Sequence, residues 1–404
     1  MKGIISRTGS EIRRTAAGLW SEGRGWILVT VAAGWALSIG IRFVYPTLVP
    51  FFQDEFQIGF ASTGLLMAVL WGGYAVGHIP GGILGDRIGE GNILLVSTAI
   101  SATTILIVAT AVDKWVLFTG TLAIGLATAL YGPTRFTIFT NLYSEWAGSA
   151  IGITMSAGSV GNALLPVGAA FIASYTSWRL GFGVFIPLFV VVTAAIWLTV
   201  PGRTSAPESV VDELSVRSGK RILREITRPS IVDIVLVQIS ISFAMQGFSA
   251  FYPAYLATEK GIAPEIAAVL FGLFFAIGAF VQPVAGALMD RIGTRWTLIG
   301  NLGISVTGLW LLPFLSGLPL LGVVTMLVAC LNGCFVVTQT DLADLLPEEM
   351  RGTGLGTLKA GWMLLGATAP LCIGFLADAG YFDIGFFVLA GVVSVGLSVA
   401  VFRL

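Results

Sequence analysis

The sequence predicts an all-α membrane protein with twelve transmembrane helices arranged as two pseudo-symmetric bundles of six. Two observations support this prediction: the composition is very apolar, and one sequence pattern occurs twice, half a chain apart. Hydrophobic residues make up 56% and charged residues 11% of the 404 residues, and the mean hydropathy is +0.90. An average soluble protein carries about 25% charged residues. A chain this apolar is typical of a protein that crosses the bilayer many times.

Apolar runs that are long enough to cross a bilayer occur twelve times along the chain. A helical span needs about 20 consecutive, predominantly apolar residues. The predicted spans cover residues 26–51, 61–84, 92–112, 115–139, 148–173, 180–200, 231–256, 264–288, 296–315, 318–340, 355–376 and 383–402.

These runs divide the chain into four parts. Residues 1–24 form a basic N-terminal segment, residues 25–200 hold the first six spans, and residues 231–404 hold the last six. Residues 201–230 form a linker, which combines prolines with six basic and four acidic residues. The predicted domains are therefore two six-helix bundles joined by a polar connection.

The distribution of Lys and Arg predicts the orientation in the membrane. If the N-terminus is cytoplasmic, only Lys114, Arg179 and Lys260 face outside, three basic residues lie within spans, and 16 of the 22 face the cytoplasm. Basic residues accumulate in the cytoplasmic loops of membrane proteins. We therefore expect a multi-pass protein of the plasma or inner membrane, with the N-terminal segment, the linker and the C-terminus all in the cytoplasm.

A short acid–base turn is repeated at the same place in each half. Residues 82–89 read G-I-L-G-D-R-I-G, and residues 286–293 read G-A-L-M-D-R-I-G, an offset of 204 residues. The matching pairs are Gly82 with Gly286, Asp86 with Asp290, and Arg87 with Arg291. An internal repeat of this size in an apolar chain indicates a transporter whose site lies between its two halves.

With G-x-L-x-D-R-x-G after the second and eighth spans, the chain resembles the major facilitator superfamily. Residues 177–182 (S-W-R-L-G-F) are similar to the turn between spans five and six of that family, and residues 346–352 (L-P-E-E-M-R-G) to its loop before span eleven. The resemblance implies a monomeric secondary transporter that works by alternating access. It also implies that Asp86 and Asp290, with the glycines and arginines of their turns, gate the cytoplasmic side. The alternative is that they are solvated turn residues.

Parts of the chain resemble two groups within that superfamily, the monocarboxylate carriers and the oxalate/formate carriers. Residues 22–26 and 142–152 are similar to two monocarboxylate-carrier signatures. Lys359 in span eleven matches the place of a Lys that binds the dicarboxylate in oxalate/formate exchangers. Span eight departs from both patterns, because it has no Arg or Asp where these carriers commonly have a charge.

Three basic residues, Arg42, Arg135 and Lys359, fall within predicted spans, and no carboxylate is predicted near the middle of the bilayer. A cation at the bilayer centre costs about 2.5–3.5 kcal/mol on insertion scales, so such residues usually line a cavity or meet a partner. We predict Arg42 as the main anion anchor and Lys359 as the second; a side chain that bonds a backbone carbonyl or extends to the headgroups is the alternative. Arg135 is predicted to pair with Asp86 or Glu145.

Several other polar side chains are candidates for the cavity lining. The only histidine, His78, is a candidate proton relay because imidazole titrates near physiological pH; a hydrogen-bonded packing role is the alternative. The candidate hydrogen-bonding residues are Tyr45, Tyr74, Tyr131, Gln246, Tyr252 and Gln339.

The function that the sequence favours is secondary active transport of a small organic anion, a mono- or dicarboxylate, by anion exchange or proton symport. A drug/proton antiporter is the first alternative and predicts an acidic residue in the central cavity. A non-transporting receptor or scaffold is the second and predicts large cytoplasmic domains.

The expected partners are the anion, the lipid bilayer and, for symport, protons. The zero net charge argues against a nucleic-acid partner. We expect no enzyme activity, cofactor or metal, because the sequence has neither a nucleotide-binding loop nor a metal-ligand cluster.

Overall fold

The computed structural model describes residues 18–204, 227–347 and 351–404, and within these ranges all regular structure is helical. The predicted N-terminal segment and linker lie mostly outside the described residues. The helices of the first half are α1 (Gly25–Phe56), α2 (Phe60–Ile88), α3 (Glu90–Ala109), α4 (Lys114–Leu142), α5 (Ala147–Tyr175) and α6 (Trp178–Thr199).

The second half repeats this succession of helices. Helices α8 and α9 form one helical run, Pro264–Leu311, which is broken at Gly293, so α8 covers residues 264–292 and α9 covers residues 294–311. The others are α7 (Pro229–Thr258), α10 (Leu318–Leu345), α11 (Arg351–Gly366 continued by Ala369–Asp378) and α12 (Phe382–Phe402). Within the described ranges, with the run broken at Gly293 taken as two helices, the predicted all-α fold of twelve spans is confirmed.

Two glycines give the sequence repeat a structural counterpart. Gly89 separates α2 from α3 with φ 99° and ψ 145°, and Gly293 separates α8 from α9 with φ 84° and ψ 166°. This region of backbone space is open almost only to glycine. The two residues are 204 positions apart, the offset of the repeat. The repeated turns therefore reverse the chain by the same backbone conformation in both halves.

Local signals explain where several helices begin. The Asp113 carboxylate accepts hydrogen bonds from the backbone N–H groups of Trp115 (2.7 Å) and Val116 (3.1 Å), which caps α4. Ser177 caps α6 through the N–H of Leu180. Both are residue types that satisfy the free donors at a helix N-terminus. These caps stabilise helix ends that the hydrophobic pattern alone leaves undefined.

The outward faces of the helices are apolar. Large hydrophobic side chains on several spans are strongly exposed in the isolated chain, for example Trp197 (73%), Phe280 (74%) and Val395 (64%). In a soluble protein such a surface would be an interaction site or an aggregation hazard. Each membrane-spanning helix satisfies its own backbone hydrogen bonds, so a face covered by apolar side chains is suited to contact lipid.

Helices α1 and α7 are the most buried of the described spans. They contact each other across the boundary between the halves, and α2 packs on α11 and α5 on α8 across the same boundary. We call the end of the bundle that carries Gly89 and Gly293 the turn end, and the end that carries Gly59 and Asp378 the far end. The middle of α1 is consequently enclosed between the two halves.

The halves approach each other most closely toward the far end, through glycine. A Cβ on Gly64 would lie 2.3 Å from the carbonyl oxygen of Pro370, and one on Gly374 would lie 2.4 Å from that of Phe60. Helices α2 and α11 therefore touch backbone to backbone there. Small residues permit this close approach of helices in membranes.

Candidate functional site

Arg42 lies in the middle of α1, and only 1% of it is exposed. The centre of its guanidinium group lies 3.5 Å from the centroid of the Tyr74 ring and 5.2 Å from that of Trp71. Its Nε donates to the carbonyl oxygen of Ser38 (3.2 Å), and its Nη1 has no hydrogen-bond partner among the described residues. Aromatic faces attract the cation without neutralising it. The arrangement leaves a buried N–H donor and a full positive charge unmatched.

Lys359 lies on the part of α11 that contacts α2, the helix of Tyr74. It is half-buried, and the described part of the chain contains no carboxylate paired with it. Trp362, one turn further along α11, is buried and its Nε1 has no partner within the described ranges. The second half thus adds a second cation without a carboxylate partner and, on the same helix, a buried donor without a partner.

Arg135 does not pair with Glu145, one of the two partners predicted for it. Its guanidinium centre lies 3.4 Å from the Trp35 ring centroid and 4.2 Å from that of Phe136. Its Nη1 donates to the carbonyl oxygen of Gly132, while Glu145 is exposed. The other predicted partner, the Asp86 side chain, lies outside the described residues. Within the described residues Arg135 stacks on aromatic rings, and its pairing with Asp86 stays a prediction.

His78 packs beside Tyr74 in a T-shaped arrangement, with ring centroids 4.3 Å apart. Its Nδ1 lies 2.8 Å from the carbonyl oxygen of Tyr74, one turn earlier on α2, so Nδ1 carries the proton that this bond requires. In the neutral ring Nε2 is then the acceptor, and it lies near Gly132 of α4. The hydrogen bond matches the packing role, and the relay role stays a prediction.

Two more sequence candidates, Gln246 and Gln339, lie in the second half. Gln246 is 7% exposed and joins α7 to α11, because its Nε2 donates to the carbonyl oxygen of Met363 (3.2 Å) and to Ser242 Oγ (3.3 Å). A Cβ on Gly366 would lie 2.2 Å from this Nε2, so glycine permits the Gln246 side chain to take this position. Gln246 therefore braces the segment of α11 that follows Lys359. Gln339 is half-buried on α10.

Three tyrosines that were expected to line the cavity are instead satisfied inside their own halves. The Tyr45 hydroxyl accepts from Thr121 (3.1 Å), and the Tyr131 hydroxyl donates to the carbonyl oxygen of Val31 (2.9 Å). The Tyr252 hydroxyl bonds Thr325. All three are fully buried and their hydroxyl groups have partners, so the structure favours a packing role for them. Of the tyrosines predicted for the cavity, Tyr74 is the one that stacks on Arg42.

The predicted gating turns are described only in part. Asp290 and Arg291 are exposed at the turn end, as is Arg87, and Gly286 lies in helical backbone. The surroundings of Gly82 and the side chain of Asp86 lie outside the described residues. The gating role of these turns stays a prediction.

Sequence reasoning missed a carboxylate at the far end. Asp378, at the end of α11, accepts from the backbone N–H groups of Phe60 (2.6 Å) and Ala61 (2.9 Å) at the start of α2. It caps a helix of the other half, and a Cβ on Gly59 would lie 2.7 Å from its Oδ1. A glycine before α2 and an acid at the end of α11 were the sequence signals for this contact, but its partners lie 318 residues apart.

Comparisons with known proteins agree with this architecture. The family model described as Major Facilitator Superfamily matches residues 28–255 and 234–404. A cis,cis-muconate transport protein of Acinetobacter baylyi is 25% identical over 350 residues, covering 83% of this chain and 84% of that protein. A hexuronate transporter of Bacillus subtilis is 23% identical over 389 residues, covering 88% of each. A gentisate transporter of Corynebacterium glutamicum is 24% identical over 376 residues, covering 86% of this chain and 81% of that protein.

Solved structures with the same fold include a bacterial homologue of the human lysosomal transporter Spinster in an inward-facing, unoccupied conformation. The TM-score is 0.79 at 16% identity, over 94% of this chain and 96% of that one. The nucleoside transporter NupG gives a TM-score of 0.79 at 12% identity, over 93% of this chain and 98% of that one. The twelve-helix fold, the repeated turns and the match along the chain lead to one conclusion: this protein belongs to the Major Facilitator Superfamily and is a transporter, not an enzyme.

Proposed function

We propose that this protein is a secondary active carrier of a small organic anion, a carboxylate, which it binds between its halves and moves by alternating access. The observation that carries the proposal is Arg42: a nearly inaccessible guanidinium at the centre of α1, with an unpartnered Nη1 and no carboxylate bound to it in the described part of the chain. A buried charge is costly unless it is paired, and a carboxylate on the cargo would supply the pair.

The surroundings of Arg42 support the same proposal. Lys359 lies in the other half, on the part of α11 that contacts the helix of Tyr74, so the two cations could hold one anion between the halves. The relatives named above are transporters of muconate, a hexuronate and gentisate, all of which are carboxylates. A drug/proton antiporter for lipophilic compounds needs an acid in the central cavity, and the sequence places no carboxylate near the middle of a predicted span.

Two modes of coupling are proposed. In anion exchange, a second carboxylate returns through the same site and neutralises the same cations. In proton symport, the proton travels on the cargo or on His78. The basic N-terminal segment and linker support an orientation with both termini in the cytoplasm of a plasma or inner membrane.

The test is counterflow of labelled carboxylates in proteoliposomes, comparing the wild type with Arg42→Gln. A hydrogen bond to a charged group is worth about 1.5–3 kcal/mol, so we expect Arg42→Gln to weaken cargo affinity by about 10- to 100-fold. Arg295→Gln is the matched control, because Arg295 also lies over an aromatic ring, that of Trp296, but is exposed at the turn end. Wild-type affinity in Arg42→Gln would refute the anchor, and accumulation driven by a pH gradient without internal anion would favour symport.

A further inference from the structure

The region around Tyr74 holds three cations rather than one. The Arg42 guanidinium centre lies 3.5 Å from the Tyr74 ring centroid. Arg135 donates to the carbonyl oxygen of Gly132, a residue where a Cβ would lie 3.5 Å from the Tyr74 hydroxyl. Lys359 lies on the part of α11 that contacts α2, the helix of Tyr74. Neither Arg42 nor Arg135 nor Lys359 has an ion-pair partner among the described residues. One carboxylate would leave most of this charge uncompensated.

Arg135 is the most firmly held of the three. Two aromatic rings stack on its guanidinium group, Trp35 from α1 and Phe136 from α4. Its Nη1 is bonded to the carbonyl oxygen of Gly132, and its Nη2 lies 3.4 Å from the sulfur of Met155 on α5. The side chain is 3% exposed. The position of its positive charge is therefore fixed. The charge acts on the cargo electrostatically rather than through hydrogen bonds from both Nη atoms.

The Trp35 ring, on which Arg135 stacks, is also closely packed. Gly158 of α5 lies against the edge of Trp35, where a Cβ would come within 2.4 Å of the indole Nε1. The hydroxyl of Tyr131 would meet a Cβ on Gly34 at 2.2 Å, on the other side of the same turn of α1. Glycines thus allow the Trp35 and Tyr131 side chains to pack closely against α5 and α1.

We propose that Arg135 is a specificity-determining residue that makes the carrier prefer dicarboxylates to monocarboxylates. The inference rests on the proposed function and narrows its cargo to a dianion, with one carboxylate on Arg42 and the other on Lys359. Arg135 acts on both at a distance as a positioning residue.

The physical basis is that an electrostatic contribution scales with the charge of the cargo. A fixed unit charge acts on a dianion with twice the free energy that it exerts on a monoanion at the same place. For buried charges about 10 Å apart, Coulomb's law at an effective dielectric constant of about 20 gives on the order of tenfold in affinity per negative charge. Removing the charge should therefore weaken monoanions about tenfold and dianions about 100-fold.

The experiment measures binding of matched acids to the purified protein by isothermal titration calorimetry. Each of succinate, glutarate and adipate is compared with the monocarboxylate of equal carbon number: butyrate, pentanoate and hexanoate. The series of lengths covers different separations of the two carboxylates. We expect the wild type to bind at least one dicarboxylate at least tenfold more tightly than the monocarboxylate of equal carbon number. In Arg135→Gln this ratio of affinities should fall about tenfold. Arg135→Lys should keep it, because the charge is retained.

Controls separate a specific effect from a folding defect. Arg295→Gln should leave the preference unchanged, and Lys359→Gln should reduce it by removing a second charge even if Arg135→Gln does not fold. Equal weakening of both acids by Arg135→Gln, or a wild type that binds the two classes alike, would overturn the inference. Binding of monocarboxylates that depends on Arg42 would leave the proposed function intact. Failure of all six acids to bind would refute the proposed carboxylate function instead.

Discussion

At the scale of single residues, Arg42 is held in place by aromatic stacking. Tyr74 lies directly under its guanidinium group, and Trp71 lies further away on the same helix. A stacked cation keeps its N–H edge free for a ligand, whereas a carboxylate partner would occupy that edge. The ring of Tyr74 is therefore part of the site even though it does not need to touch the cargo.

This stacking can be tested by separating the ring of Tyr74 from its hydroxyl group. Tyr74→Phe keeps the ring face, and we expect cargo affinity within about threefold of wild type. Tyr74→Leu removes a desolvated cation–π contact of about 2 kcal/mol, and we expect a loss of roughly tenfold or more. Uptake into proteoliposomes as a function of cargo concentration measures both. Equal losses in the two variants would mean that the hydroxyl, not the ring, is what Arg42 needs.

Tyr45 provides the opposite case, a residue that the sequence placed in the cavity and the structure places inside the first half. Tyr45→Phe removes one hydrogen bond with Thr121, whose hydroxyl keeps its bond to the carbonyl oxygen of Leu117. We expect a loss of about 0.5–1.5 kcal/mol in stability, measured by unfolding in detergent, and unchanged cargo affinity. Weakened binding in a stable Tyr45→Phe protein would return this residue to the site.

At the scale of helices, the spans were predictable because their signal is long and local. The run at 26–51 became α1 (Gly25–Phe56), and the runs at 264–288 and 296–315 became the two parts of Pro264–Leu311. Placing Arg42 in the middle of α1 needed only this pattern. What the side chains of Tyr45, Tyr131 and Tyr252 contact depends on how the helices pack against each other. The sequence of a single helix does not specify that packing.

The glycines of the repeated turns give a prediction at the same scale. A Cβ on Gly293 would meet no atom within 4 Å, so Gly293→Ala isolates the cost of its backbone conformation, about 1–3 kcal/mol. Gly89→Ala should cost more, because its Cβ would also come within 2.3 Å of the carbonyl oxygen of Gly202. Thermal unfolding in detergent measures both, with Gly300→Ala in α9 as the control without a predicted loss. Equal stability of Gly293→Ala and wild type would contradict the assigned conformation.

At the scale of the whole molecule, the two halves were predictable from the repeat, but their contact was not. The sequence directed attention to Asp86 and Asp290 at the turn end, because these residues repeat. Asp378 has no such match in the repeat, yet it is the acid that joins α11 of one half to α2 of the other. A contact between residues 318 positions apart is a property of the assembled bundle and leaves no periodic signal in the chain.

The contact of Asp378 leads to a prediction about which end opens. Alternating access requires the halves to separate at the far end, where Phe60 and Ala61 would lose their bonds to this carboxylate. Asp378→Asn replaces charged hydrogen bonds worth about 1.5–3 kcal/mol with weaker ones, so the far-end-open population should rise by up to about 10- to 100-fold. Spin labels at Val112→Cys and Ser316→Cys, both exposed at the far end, report the separation by pulsed electron resonance once the native cysteines are replaced.

The matched control is Asp113→Asn, because Asp113 also accepts two backbone N–H bonds at the start of a helix near the far end, but within one half. It should destabilise α4 without lengthening the distance between the labels. If Asp378→Asn leaves the distance distribution as narrow as wild type, the far-end contact does not hold the halves together. In that event the close glycine packing of α2 on α11 would have to carry the closure alone, and Gly64→Ala would be the variant expected to open it.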